Sequence, residues 1–291
     1  MPRVGALAVG LVLISACMHA TWNVLAKRSA DPLAFMATFS LVAVVIYAPA
    51  TAVMLARHGL PAAGVPFLLL SGALQIVYVF CLAAAYSNGA LSLTYPVARG
   101  TGVLLVPLLA VPLLGERPSQ IAYGGIALIL LGLLTINVLA ARGRAAQELV
   151  TGRRGLVFAS LTGLCIASYS LVDKRGVAHV HPLIYVYGLI ALMTLGVAPY
   201  ALWRRRPAML REWRLNRPAV LVGAVLNLGT YLIVLAALRL SDVSYIVPLR
   251  ETSIVFATLL GVVVLHERVG WVRLAGCGLV ASGVLAIALG G

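Results

Sequence analysis

The sequence predicts an all-α integral membrane protein, with ten transmembrane helices arranged as two inverted five-helix repeats. Three observations predict it. The 291 residues are 62% hydrophobic and only 10% charged, whereas soluble domains carry about 25% charged residues. The apolar residues fall into ten runs, each close to the roughly 17–25 residues that cross a bilayer. The chain also matches itself at a constant offset of 151: Arg99 with Arg250, Thr101 with Thr252, Glu116-Arg117 with Glu267-Arg268, Gly125 with Gly276 and Gly132 with Gly283.

The runs cover 4–26, 32–56, 64–87, 91–114, 119–141, 155–173, 181–203, 217–238, 243–265 and 271–289. Turn-forming residues separate them: Asp31-Pro32, Gly59-Leu60-Pro61, Ser87-Asn88-Gly89, Pro118-Ser119, His181-Pro182, Arg217-Pro218 and Ser241-Asp242. The first run follows Arg3 as the apolar core of a leader would. It carries His19, Trp22 and Asn23, however, and has a counterpart later in the chain, so it reads as part of the fold. The polar stretch 142–154 divides the chain into a first repeat over 1–141 and a second over 155–291; a further basic loop covers 204–217.

The repeat reaches the first helix of each half. Lys27-Arg28 matches Lys174-Arg175, Trp22 matches Tyr169, Asn23 matches Ser170 and Pro32 matches Pro182. Five spans are an odd number, so the second half inserts upside down, about a two-fold axis in the membrane plane. Each arginine lies about 5 Å from the middle of its helix at 1.5 Å per residue. Inversion sends those offsets to opposite sides of the midplane, so both guanidiniums approach one cavity. Pro96 and Pro248, just upstream, free backbone carbonyls there.

A charge in hydrocarbon costs at least ~2.5 kcal/mol and marks a ligand or ion path. Arg99 and Arg250 therefore lead the candidates for binding an anionic group such as phosphate, phosphonate or carboxylate. The competing reading neutralises them within the protein, with Glu251 as counter-ion. Glu251 stands where the first half has Gly100, and a coupling carboxylate is its functional reading. The asymmetry favours Arg99 for gripping the anion and Arg250-Glu251 for coupling or gating. His19, Trp22 and Asn23 share one helix face, with His19 a proton carrier or a helix-to-helix hydrogen-bonding group. Tyr169 occupies the matching site in the second half. Tyr95 and Tyr245 flank the arginines, and Tyr78 and Asn227 complete the substrate-binding candidates. Lys27 and Lys174 are gating candidates or interfacial anchors, Lys174 beside Asp173 as a neutralised pair. Glu116 and Glu267 read as local pairs closing short hairpins.

The four cysteines form no disulfide or zinc spacing, and no metal or cofactor is expected. The net charge of +14 sits in short segments between apolar runs, which suits anionic headgroups and not nucleic acid. No GxSG, second HExxH histidine or paired aspartates supports an intramembrane lipid-modifying enzyme, and no catalytic residue is expected. No phosphate-binding GxxxxGK[ST] is present, so a proton or sodium gradient, or the solute's own gradient, drives transport.

The junction LLGERPSQIAYGGIALILLGLL (113–134) and its copy VLHERVGWVRLAGCGLVASGVL (264–285) resemble the drug/metabolite transporter superfamily, specifically proteins with two EamA repeats. The resemblance implies a ten-helix carrier of the bacterial inner membrane, monomeric or homodimeric, working by alternating access. Its substrates range from phosphorylated metabolites to amino acids and drug-like solutes, so an exporter of the latter kinds is the alternative to an anion carrier. The segment 14–35 further resembles a bacterial subgroup linked to phosphonate utilisation. The family usually keeps both termini in the cytoplasm. Loop charge, concentrated in 142–154 and 204–217, places them outside.

Overall fold

A computed structural model describes residues 4–89, 91–137, 153–267 and 269–290. Twelve α-helices fill them: α1 Ala6–Arg28, α2 Pro32–His58, α3 Val65–Asn88, α4 Leu91–Leu114, α5 Gln120–Asn137, α6 Arg153–His179, α7 Pro182–Arg204, α8 Arg206–Leu215, α9 Arg217–Leu240, α10 Val243–Leu249, α11 Thr252–Leu265 and α12 Trp271–Gly290. Local chemistry sets many of the ends. Asp31 caps α2 by accepting from the Leu33 and Ala34 amides, with Pro32 as first helical residue. Gly59 and Gly115 end α2 and α4 with positive φ; His266, where the second copy lacks the glycine, adopts φ 55°.

Among the described residues, eight helical segments are long and apolar enough to span a membrane, α10 and α11 counting together. The seventh expected span, α7, bends by 42° between Gly196 and Ala198, where Pro199 withdraws an amide from the ladder. The fifth, α5, is shorter, and the expected residues 138–141 lie outside the described ones. Three expectations change. The sixth span begins at Arg153, inside the expected linker; residues 142–152 of that linker lie outside the described ones. The basic loop 204–217 contains the amphipathic α8, which buries Met209 and Glu212. The ninth run is two helices, broken at Arg250-Glu251.

Helix packing follows the sequence repeat. The pair α1 with α9 is matched by α6 with α3, α1 with α11 by α6 with α4, and α2 with α9 by α7 with α3. The pairs α5–α12 and α2–α7 join each helix to its own counterpart. At α5–α12, Gly125 faces the Gly283 carbonyl and Gly132 faces the Gly276 carbonyl. Those two contacts exchange under the 151 offset, and they run antiparallel, so the two helices are related by inversion. A Cβ at Gly125 or Gly132 would sit 2.7 Å from the facing carbonyl oxygen, so glycine is what permits this approach.

One face of the bundle gathers the start of α1, the α2–α3, α4–α5, α6–α7 and α9–α10 turns and the end of α12. It is tied by Ser119 Oγ donating to Gly290 O (2.7 Å) and by stacking of His58 on His181 (4.9 Å). We call it the terminal face. The opposite face gathers the α1–α2, α3–α4 and α11–α12 turns with α8, where Arg205 pairs with Asp31 (2.7 Å).

Candidate functional site

The site lies where α1, α4 and α9 meet the break between α10 and α11. The break is local: Glu251 N donates to Pro248 O (3.0 Å), Ser253 N to Arg250 O (3.0 Å) and Ile254 N to Glu251 O (3.0 Å). These i→i−3 bonds replace the α-helical ladder beside Pro248. α4 stays continuous through Arg99 although it holds Pro96, Pro107 and Pro112. Matched residues therefore sit on unmatched backbones, Arg99 within a helix and Arg250 at a break.

The two arginines do converge. Together with Ser15, Ala16, His19, Thr230 and Ser253 they line one central cavity. Its free volume is about 10 Å³, roughly the space of one water. Glu251 reaches across from the break to Arg99, with Oε1 3.6 Å from Nη1, and its side chain is only 3% exposed. Its Oε2 is buried and has no hydrogen-bond partner among the described residues. Arg250 forms no ion pair among the described residues. Its guanidinium lies 5.5 Å from the Tyr231 ring centre, and Arg99 lies 5.9 Å from that of Tyr95.

Around this centre Tyr78 and Tyr169 make an edge contact at 6.0 Å, and His19 makes one with Trp22 at 4.9 Å. Asn23 donates to the His19 carbonyl (2.7 Å), one turn back on its own helix. Trp22 and Asn227 line a separate, mainly apolar cavity of about 310 Å³ between α1, α2, α7 and α9. The buried Trp22 Nε1 has no partner there among the described residues.

Other candidates lie elsewhere. The Tyr245 hydroxyl accepts from the Ser119 amide (3.2 Å) at the start of α5, away from the arginines. Lys27 pairs with Glu267 on the opposite face; that bond holds the Glu267 carboxyl below its ordinary range. On the terminal face Lys174 donates to Leu238 O and Ser241 O, and not to the neighbouring Asp173 as expected. Glu116 does not pair with Arg117: it accepts from the Val243 and Ser244 amides. Asp173 turns inward, fully buried, and accepts from Tyr185 (3.0 Å) and from Tyr231, the residue whose ring packs against Arg250. The sequence reading paired this carboxylate with Lys174 and missed its inward place. Its signal was an acid one turn beyond Tyr169-Ser170, within helical reach of their face. The described residues hold no group of His, Cys, Asp and Glu suited to a metal.

Comparison with known proteins bears on these features. Residues 153–289 match the model of the EamA-like transporter family. The second half of the chain is therefore similar to an EamA-type transporter repeat. A solved crystal structure shares the fold of this chain with a TM-score of 0.73, at 20% identity over 97% of this chain and 96% of that one. No curated protein sequence matches it. The matched segment opens at the first residue of α6 and carries Arg250, Glu251 and Glu267.

Proposed function

We propose that this protein is an EamA-type secondary carrier of a small anionic metabolite, working by alternating access between two inverted repeats over 1–141 and 155–291. One observation carries the reading: two arginines from matched helices line one central cavity, and the buried carboxylate of Glu251 stands 3.6 Å from one of them, Arg99. Glu251 faces Arg99, which leaves Arg250 the cation in surplus. Binding of phosphate, phosphonate or carboxylate at Arg250 recovers the desolvation cost of that charge. Bidentate geometry suits a guanidinium to all three groups. Arg99-Glu251 then becomes the element that opens as the anion enters, the reverse of the roles that the sequence asymmetry favours. Coupling to protons or sodium falls to His19, which lines the cavity, to Glu251, which faces Arg99, and to Asp173, which accepts from Tyr231 beside Arg250. The bilayer is the bacterial inner membrane, and the carrier acts as a monomer or homodimer.

Thermal unfolding of the purified protein against phosphate, methylphosphonate, small carboxylates and amino acids tests this. One anion class raises the melting temperature, by an increment corresponding to about 2.7 kcal/mol at a hundred times its Kd. Arg99→Ala and Arg250→Ala each abolish the shift. Full retention of binding and transport by both variants would remove the claim, and stabilisation by zwitterionic amino acids alone would redirect it.

A further inference from the structure

Both halves carry the same charged residues at the same turns, yet use them differently. Arg28, ending α1, donates to Val264 O near the end of α11 (2.6 Å). Its counterpart Arg175, in the last turns of α6, donates to Leu113 O near the end of α4 (3.3 Å). These bonds are mates under the repeat, so each face carries a corner built from matched helix ends. Beside each arginine stands a lysine, Lys27 or Lys174, and beyond each partner helix a glutamate, Glu267 or Glu116.

On the terminal face both charges reach across to the α9–α10 turn. Lys174 Nζ donates to Leu238 O (2.6 Å) and Ser241 O (2.9 Å) at the end of α9. Glu116, only 6% exposed, accepts from Val243 N (2.8 Å), Ser244 N (3.0 Å) and Ser244 Oγ (2.6 Å) at the start of α10. A cation thus meets the free carbonyls of one helix end, and an anion the free amides of the next, the polarity each end favours. On the opposite face the equivalent turn joins α3 to α4. Among the described residues Lys27 and Glu267 make no bond to it and pair with each other, with side chains 64% and 29% exposed.

We infer that these are two copies of one clamp, engaged on the terminal face and parked on the opposite face, and that transport exchanges their states. In the exchanged conformation Glu267 accepts from the amides of Ser92 and Leu93, which stand 151 residues before Val243 and Ser244. Lys27 takes the carbonyls ending α3, while Glu116 and Lys174 fall back on each other. The parked pair is exposed and weak, so it is readily given up. The inference rests on the alternating-access reading above but concerns turns remote from the anion site.

The test uses spin-label distances in the full chain with its native cysteines replaced. One label pair, Ala30 with Ser87, spans the opposite face; a second, His179 with Leu240, spans the terminal face. Lys27→Met frees Glu267 to cap α4 and shifts the Ala30–Ser87 distribution towards short distances. Glu267→Gln breaks the same salt bridge but removes the clamping anion, so the short population is lost. Glu116→Gln lengthens the His179–Leu240 distances. Opposite effects of Lys27→Met and Glu267→Gln are the expected result. Equal effects, or none, would reduce the pair to an ordinary surface salt bridge and overturn the exchange. Because no anion is added, this outcome is independent of whether Arg99 and Arg250 bind one.

Discussion

At the scale of single residues the decisive pair is Arg99 and Glu251. Their separation of 3.6 Å is long for a salt bridge, and Glu251 Oε2 is left without a partner among the described residues. The pair is therefore buried but incompletely satisfied, which suits a contact that must open. Removing one partner of a buried pair costs about 3–5 kcal/mol, because the other charge is left uncompensated. Arg99→Ala is accordingly expected to lower the unfolding temperature as well as to abolish anion binding. Adding Glu251→Gln to Arg99→Ala restores most of the stability and none of the binding. Thermal unfolding with and without phosphate separates the two effects, and a double variant that regains neither would show that Glu251 is not the counter-ion. Arg99, Arg250 and Glu251 were legible in the sequence because a charge in an apolar run has few reasons to exist. Which arginine Glu251 faces was not legible: neighbours in sequence, Arg250 and Glu251 leave a helix break in different directions. Asp173 and Lys174 part in the same way, since adjacent residues on a helix point about 100° apart.

At the scale of elements, long apolar runs and their turn residues made the spans readable. The misreadings have physical causes. In α8, ten residues hold three arginines, and the buried pair Met209 and Glu212 is too short a pattern to stand out from a basic loop. The break after α10 was hidden because VPLRET and VARGT read alike in hydropathy, whereas the break is decided by backbone hydrogen bonding around Pro248. The glycines of α5 separate into two kinds. A Cβ at Gly125 or Gly132 meets the facing carbonyl and isoleucine or valine side chains at 2.7 Å, whereas Gly124 has open space within 4 Å. Gly132→Ala is expected to destabilise by about 1–3 kcal/mol through overpacking, and Gly124→Ala to be neutral. Chemical unfolding of the two variants in parallel checks this, and equal stability would mean that the α5–α12 contact is not close.

At the scale of the whole molecule the remaining question is which face meets the cytoplasm. The opposite face carries Lys27, Arg28, Arg204, Arg205 and the arginines of α8, an amphipathic helix with Leu210 and Leu215 exposed beside Arg211 and Arg214. A helix of that composition lies in the interface of an anionic leaflet, where each basic residue contributes about 1 kcal/mol. Anionic lipid and the positive-inside rule thus both favour this face for the cytoplasm, so the terminal face and both termini are expected outside, contrary to the orientation that the sequence resemblance implies. The clamp parked on the opposite face then makes the conformation described here the one released towards the cytoplasm. Single cysteines at Arg211 in α8 and at Leu60 in the α2–α3 turn, in an otherwise cysteine-free chain, decide it. A membrane-impermeant maleimide applied to intact cells is expected to label Leu60→Cys and spare Arg211→Cys, with both labelled once the membrane is opened. The reverse pattern would place the basic face outside and make the same conformation the outward-released one, leaving the clamp and the anion site unchanged and reversing only the direction in which they face.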